Sequence, residues 1–373
     1  MTVEGMEGES MSSFEEFCRK LKGAYDFFQR TKDRDIVIFG AGNTAVLYKE
    51  CIESEDVDIA CFCDNNASKQ NTCFMGKKVV APDSINEMTH NPVVLVLSMN
   101  PDVCDKLKKQ CRNMNLECSM FDEYLFGKHC RDIYDVYENL NDARSKDVYS
   151  TIIECRMEGI PVDENIYSER QYFGIPQFRR NRPGEVFVDC GAFVGDSIEK
   201  YIWENTAVFS EIYGFEPNAQ NYNALIERIG RLNREWGLSE DRITAVNAGV
   251  GDITGCVSVE NTAAVASTTS RIGRYGEGNV KIYALDEFFG DAKVDFIKAD
   301  IEGFEKNMLY GAKKVIQKNH PLIAVCIYHS AIDMYKIMRI IKKYDDNYKF
   351  AVRHHSYDYC ETVLYAWWEE RDA

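Results

Sequence analysis

The sequence predicts an α/β protein built from two Rossmann-like units, the second larger and closed by an antiparallel hairpin. Three observations carry this expectation. Short apolar runs alternate with helix-like stretches along both halves of the chain, the pattern of a parallel sheet. Two of these runs, at 35–39 and 186–190, pass straight into glycine turns. The last two runs, at 348–355 and 361–367, follow one another with no helix between them. The chain has 373 residues, 45% of them hydrophobic, enough for two cores. The expected organisation is a helical segment at 1–30, a Rossmann-like domain at 31–125, a helical connector at 126–183 and a larger domain at 184–373.

In the first half, residues 14–30 carry apolar positions at helical spacing. The stretch DIVIFGAGNTA (35–45) reads as strand, glycine turn and helix start. A second strand, 58–63, ends at Asp64, and a third spans 93–97 after a helix-and-turn region. Gly40-x-Gly42-Asn43-x-Ala45, with Asp64 22 positions after Gly42, loosely fits a dinucleotide fingerprint. A half-Rossmann scaffold without a tightly held nucleotide is the competing reading. Residues 121–183 show no strand-like alternation, and Gln171, Tyr172 and Phe173 stand just before the next strand. Those side chains can cover a ligand or simply pack.

Net charge is −16, with no run rich in Lys and Arg, which argues against a nucleic-acid partner. No stretch reaches the roughly 18 apolar residues of a membrane span, and the first residues, acidic and polar, do not resemble a signal peptide. The 14 cysteines include no C-x-x-C pair, so they read as buried thiols of a cytoplasmic protein rather than zinc or redox motifs.

The second glycine turn is the more informative. VFVDCGAFVGDS (186–197) places Asp189 ahead of Gly191 and Gly195. An acid inside such a turn repels a diphosphate and suits a ligand bearing an ammonium group, such as S-adenosylmethionine. Asp189 is expected to meet that ammonium, with Gly191, Ala192, Gly195, Asp196 and Ser197 forming the cradle. Glu216 ends the next strand, 27 residues after Asp189 and just before Pro217. A carboxylate there can accept hydrogen bonds from both ribose hydroxyls of an adenosyl group. Asn218 and the small residues around Ala248 complete the expected donor site, with Gln171 and Tyr172 above it. The Ser/Thr/Gly-rich stretch within 256–283 is either a lid over the acceptor or a plain surface loop. A further strand, 294–299, ends in Asp300, Glu302 and Glu305, and the strand 322–328 delivers His329 to the same edge. Ligands of open α/β sheets sit at that carboxyl edge.

Together VFVDCGAFVGDS, GFEPN, FIKADIEGFE, CIYH and AVRHHSYDYCETVLYAW resemble the FkbM family of methyltransferases over about residues 170–368. The segment GAGN…CFCDNN…GKKVVAPDSI resembles the N-terminal domains of bacterial sugar-modifying enzymes, for which a nucleotide-sugar or carrier-linked glycan is a reasonable ligand. The FkbM resemblance implies a class I methyltransferase sheet and S-adenosylmethionine-dependent O-methylation of a sugar, glycan or glycosylated small molecule. In such a site His329 is the expected general base, since a free imidazole titrates near pH ~6.5, and Asp300 orients it or the acceptor. Glu302 and one of His354 and His355 are expected at the substrate. A rival arrangement gathers Asp300, Glu302 and His329 around Mg²⁺. A non-catalytic nucleotide or nucleotide-sugar binder on the same fold, and a methyltransferase with an N- or C-acceptor, also remain open.

Overall fold

The computed structural model describes residues 13–179, 182–260, 271–275 and 280–370. The chain packs as two units. The first takes in residues up to Glu138, with Lys146–Ile166 and Tyr357–Tyr359. The second takes in Asn139–Ser145, Tyr167–Ser356 and the residues from Cys360 onward. The segment 126–183 is therefore divided between the two units.

The first unit is built on β1 (Asp35–Phe39), β2 (Ile59–Cys63), β3 (Cys73–Phe74), β4 (Lys77–Val80), β5 (Pro92–Val96) and β6 (Cys118–Met120), in the order β3-β4-β2-β1-β5-β6. β1 pairs in parallel with both β2 and β5. Ile36, Val37, Ile38 and Phe39 are all buried, as a strand covered on both faces requires. The short strands β3, β4 and β6 are additions to the strands expected from sequence. Too few residues alternate in them to show a period.

The helix Ser13–Thr31 buries Phe17, Leu21, Ala24 and Phe27 along one stripe. It lies against the helix Phe121–Lys128 so closely that a Cβ on Gly127 would stand 2.1 Å from the Ala24 carbonyl oxygen. Within the same unit Arg156 is fully buried. Its Nε donates to Asp122 at 2.7 Å and its Nη2 to the Tyr48 hydroxyl at 2.6 Å.

The second unit contains β7 (Val186–Cys190), β8 (Glu211–Phe215), β9 (Ile243–Val246), β10 (Gly249–Val250), β11 (Gly255–Glu260), β12 (Arg271–Tyr275), β13 (Val280–Tyr283), β14 (Phe296–Ala299), β15 (Leu322–Cys326), β16 (Tyr348–His354) and β17 (Thr362–Trp368). Seven of these form one sheet in the order β16-β17-β15-β14-β7-β8-β9. β17 runs antiparallel to both β15 and β16, so the sheet is closed by the hairpin expected from the sequence. β10 to β13 form a separate four-stranded sheet. The stretch weighed as a lid falls largely on 261–270 and 276–279, outside the described residues. The helix after the second glycine turn runs Asp196–Glu204. An aromatic cluster fills the core under the sheet: Phe187 stacks on Tyr201 at 4.3 Å, and Phe296 meets Phe187 at 4.8 Å and Phe178 at 5.3 Å.

Arg156→Ala leaves Asp122 charged, buried and without its cation. The expected loss is about 3–5 kcal/mol, read as an earlier urea transition of the first unit. A transition unchanged from wild type would show that the pair contributes nothing.

Candidate active site

At the carboxyl ends of β7, β8 and β14 the second unit encloses a cavity of about 400 Å³. The turn after β7 shapes its floor. Gly191 has φ +80°, and a Cβ there would stand 2.0 Å from the Asp300 carbonyl oxygen, so only glycine fits. The N–H groups of Gly191 and Ala192 both donate to the Phe215 carbonyl, at 3.1 and 2.9 Å, tying the turn to β8. Glu216 follows directly. Its carboxylate accepts the N–H of Asn218 at 2.8 Å and of Phe193 at 3.1 Å, and the side chain borders the cavity. Burial pushes its pKa up, against the hydrogen bonds and Lys298.

Of the residues expected at the donor, Gly191, Asp196, Ser197, Glu216, Asn218, Gln171 and Tyr172 line this cavity. Ala192, Gly195 and Ala248 do not. Ala192 and Ala248 are buried, and Gly195, at φ +84°, starts the next helix against Leu225. Asp189 also departs from expectation. It is fully buried beneath the turn, hydrogen-bonded by the Ser197 hydroxyl and paired with Lys298 Nζ at 2.9 Å. A protein ammonium thus occupies the place expected for the donor's. Lys298 also donates to the Gly191 carbonyl at 2.7 Å and lies 5.1 Å from the Tyr172 ring centroid. Burial disfavours its charge, but Asp189 and Asp300 outweigh that and raise its pKa. Sequence reasoning missed Lys298, although a lysine inside the apolar run FIKA was a signal.

His329 does not fit a general base. Its side chain is buried, with Nδ1 3.0 Å from Glu305 Oε1 and Nε2 3.4 Å from Asp300 and 3.7 Å from Glu302. Burial works against its charge, but Glu305, Asp300 and Glu302 outweigh it and push its pKa up to about 10. At neutral pH it already carries the proton a base would have to accept. Of the set expected around a metal, the structure groups Asp300 and His329 with Glu305, their ligand atoms all within 4.8 Å of one another, and Glu302 stands farther from the ring, at 3.7 Å against 3.0 Å for Glu305. Glu305, fully buried and also accepting the Ile301 N–H at 2.9 Å, is the partner that sequence reasoning did not assign.

The far wall of the cavity gathers Asp300, Glu302, Tyr328 and Glu361. Asp300 accepts the Tyr172 hydroxyl at 2.8 Å and the Tyr328 hydroxyl at 3.3 Å. Burial opposes its charge, yet His329, Lys298 and Tyr172 hold its pKa below the ordinary carboxylate value. Glu361 accepts Tyr328 at 3.5 Å and the Gln171 amide, and burial and then Asp300 push its pKa up. His354 and His355 are not on this wall. His354 is fully buried with Nδ1 2.9 Å from Thr362 Oγ1. His355 is clamped between the Ser168 carbonyl and the Tyr365 hydroxyl, and burial lowers its pKa to about 4. Four non-glycine residues of the cavity wall, Tyr172, Phe193, Glu302 and Glu361, have positive φ. In the first unit, Gly40, Gly42, Asn43 and Asp64 line a separate cavity.

Comparison with known proteins adds to this geometry. Residues 189–350 match the family described as the methyltransferase FkbM domain, and residues 32–117 match one described as C2185-like, N-terminal. Among solved structures the chain is similar to the methyltransferase FkbM from Methylobacillus flagellatus KT, at 18% identity over 95% of this chain and 99% of that one, with a TM-score of 0.56. At this identity the likeness is one of fold. It also matches a putative rRNA-methylase from Clostridium thermocellum, at 12% identity over 52% of this chain and 90% of that one, with a TM-score of 0.34. No curated protein matches the chain.

A folded pKa of about 10 for His329, above the ordinary 6.5, means its stabilisation is complete below pH 6.5 and is lost as pH rises through about 10. The stability gap between wild type and His329→Gln should therefore shrink across pH 7 to 10.5, and the ring resonances of His329 should titrate near 10. A midpoint at or below 7 would restore the histidine as a base.

Proposed function

From the match of residues 189–350 to the methyltransferase FkbM domain, we propose that the second unit is an S-adenosylmethionine-dependent O-methyltransferase acting on a hydroxyl of a sugar, glycan or glycosylated small molecule. The observation that carries this reading is the Glu216 carboxylate. The N–H groups of Asn218 and Phe193 and the Asn221 side chain fix it at the edge of the cavity, where a carboxylate can accept the ribose hydroxyls of the donor. The charge of the cavity supports it. Among the described residues, Asp196, Glu216, Asp300, Glu302 and Glu361 line it with a single lysine. Such a wall favours a cationic sulfonium and repels a pyrophosphate.

The donor supplies an electrophilic methyl group when bound. The protein must hold the acceptor oxygen about 3 Å away in line, exclude water and take the hydroxyl proton. Glu361 is the carboxylate suited to accept that proton, because burial and Asp300 raise its proton affinity. Asp300, kept anionic by His329 and Lys298, orients the acceptor with Tyr328, and Glu302 borders the same end. Gln171 and Tyr172 close the cavity beside them. The acid-lined acceptor end accepts hydrogen bonds from several hydroxyls at once, as a sugar offers. Free thiols at all 14 cysteines support a reducing, cytoplasmic setting.

Glu216→Ala is expected to weaken S-adenosylmethionine binding about tenfold or more, since hydrogen bonds to a charged group contribute about 1.5–3 kcal/mol. Calorimetry reads this directly, and an unchanged affinity would sink the donor assignment. An intact-mass screen of sugar acceptors should show a one-methyl gain that requires the donor. With the acceptor found, Glu361→Gln should abolish most turnover while leaving donor affinity intact. Wild-type turnover in that variant would remove Glu361 as the base.

A further inference from the structure

The first unit carries a cavity of about 420 Å³ that methyl transfer does not use, within the roughly 300–1,000 Å³ of small-molecule sites. It opens where β1 and β5 end. From β1 the sheet grows through β2 and β4 on one side and through β5 and β6 on the other. The cavity therefore lies at the switch point of strand order, where ligands of open α/β sheets bind.

Its two glycines are there for different reasons. Gly40 has φ +125°, and a Cβ would stand 2.7 Å from the Leu97 carbonyl oxygen, so the fold itself requires it. Gly42 has φ −118° and ψ −160°, an extended conformation open to any residue. A Cβ on Gly42 would meet only Lys69 Nζ, at 3.4 Å, the free end of a flexible side chain. Neither conformation nor packing calls for glycine at 42. What it provides is bare backbone on the cavity wall beside an ammonium group.

Asp64, the acid of the loose dinucleotide fingerprint, does not face a ribose. Its Oδ2 accepts the Ala41 N–H at 3.0 Å and Lys69 Nζ at 2.9 Å, and its Oδ1 accepts the Asn66 N–H at 2.8 Å. It is folded back onto the glycine turn and positions Lys69, whose other two N–H bonds remain for an anion. Opposite, Val103 and Leu107 stand one turn apart on the helix Pro101–Asn113 and form an apolar ledge with Leu97. Asn43, Thr44 and Ser98 supply polar groups between the two ends.

We propose that this crevice binds a single nucleoside phosphate, with the phosphate against Gly42 and Lys69 and the base on the Val103–Leu107 ledge. One cation and one ledge match one phosphate group and one ring system. The second ribose of a dinucleotide finds no outward acid.

The test is calorimetric titration of the full chain, with S-adenosylhomocysteine in excess to block the second unit, using AMP, UMP, GMP, NAD⁺ and inorganic phosphate. At least one of AMP, UMP and GMP should bind saturably, once per chain. Its affinity should fall about tenfold or more in both Gly42→Val and Lys69→Ala, with thermal unfolding and S-adenosylmethionine affinity unchanged. Four results would overturn the proposal: no saturable binding by any of the three, tighter binding of NAD⁺, equal binding of inorganic phosphate, or wild-type affinity in Lys69→Ala. Donor binding is measured separately, so a failure here is distinct from a failure of the methyltransferase reading.

Discussion

Lys298 stands opposite Asp189 in the parallel register of β14 and β7, and its ammonium reaches Asp189, the Gly191 carbonyl and the face of Tyr172. One buried cation thus joins two central strands, the glycine turn and the segment that covers the cavity. Taking either charge away leaves the other stranded at a cost of about 3–5 kcal/mol. The turn depends on this pair in a second way. With Asp189 satisfied by Lys298 and Ser197, its charge is balanced from below and the loop above is free to set Gly191 against the cavity and the Phe193 N–H against Glu216.

The backbone around the cavity stores strain that this anchoring has to support. Tyr172, Phe193, Glu302 and Glu361 each hold positive φ, at a cost of order 1–3 kcal/mol apiece. They come from four separate segments and meet at one site. Two lie next to rigid parts of the core: Phe173, adjacent to Tyr172, packs edge-on against Phe296, and Phe193 donates its N–H to Glu216. Packing of the aromatic core is therefore a condition for the geometry of the site as well as for stability.

What was legible in the sequence was whatever depends on local pattern. Strand–helix alternation predicts both parallel sheets, and two apolar runs without a helix between them predict the hairpin. Glu216 was legible because Pro217 ends its strand and leaves the acid at the sheet edge. His329 misled because a histidine at a strand end looks like a free imidazole until its surroundings are known, and Glu305 is what changes its chemistry. His354 and His355 alternate along a hairpin strand, but both faces there are covered, so alternation carried no information about exposure. Glu361 was invisible for another reason. It meets Gln171 across 190 positions of sequence, and no local signal marks such a pairing.

That separation has a consequence for synthesis. The cavity wall is drawn from Gln171 to Glu361, and the strand that holds Glu361 against the sheet, β17, pairs with β15 only after the hairpin has turned back. On the ribosome, the glycine turn and Glu216 emerge well over a hundred residues before that strand does. A nascent chain can therefore form the half of the cavity around Glu216 long before it owns the carboxylate at position 361. Early emergence of the Glu216 half and late arrival of the opposite wall mean that the cavity is complete only once the C-terminal hairpin has joined the sheet.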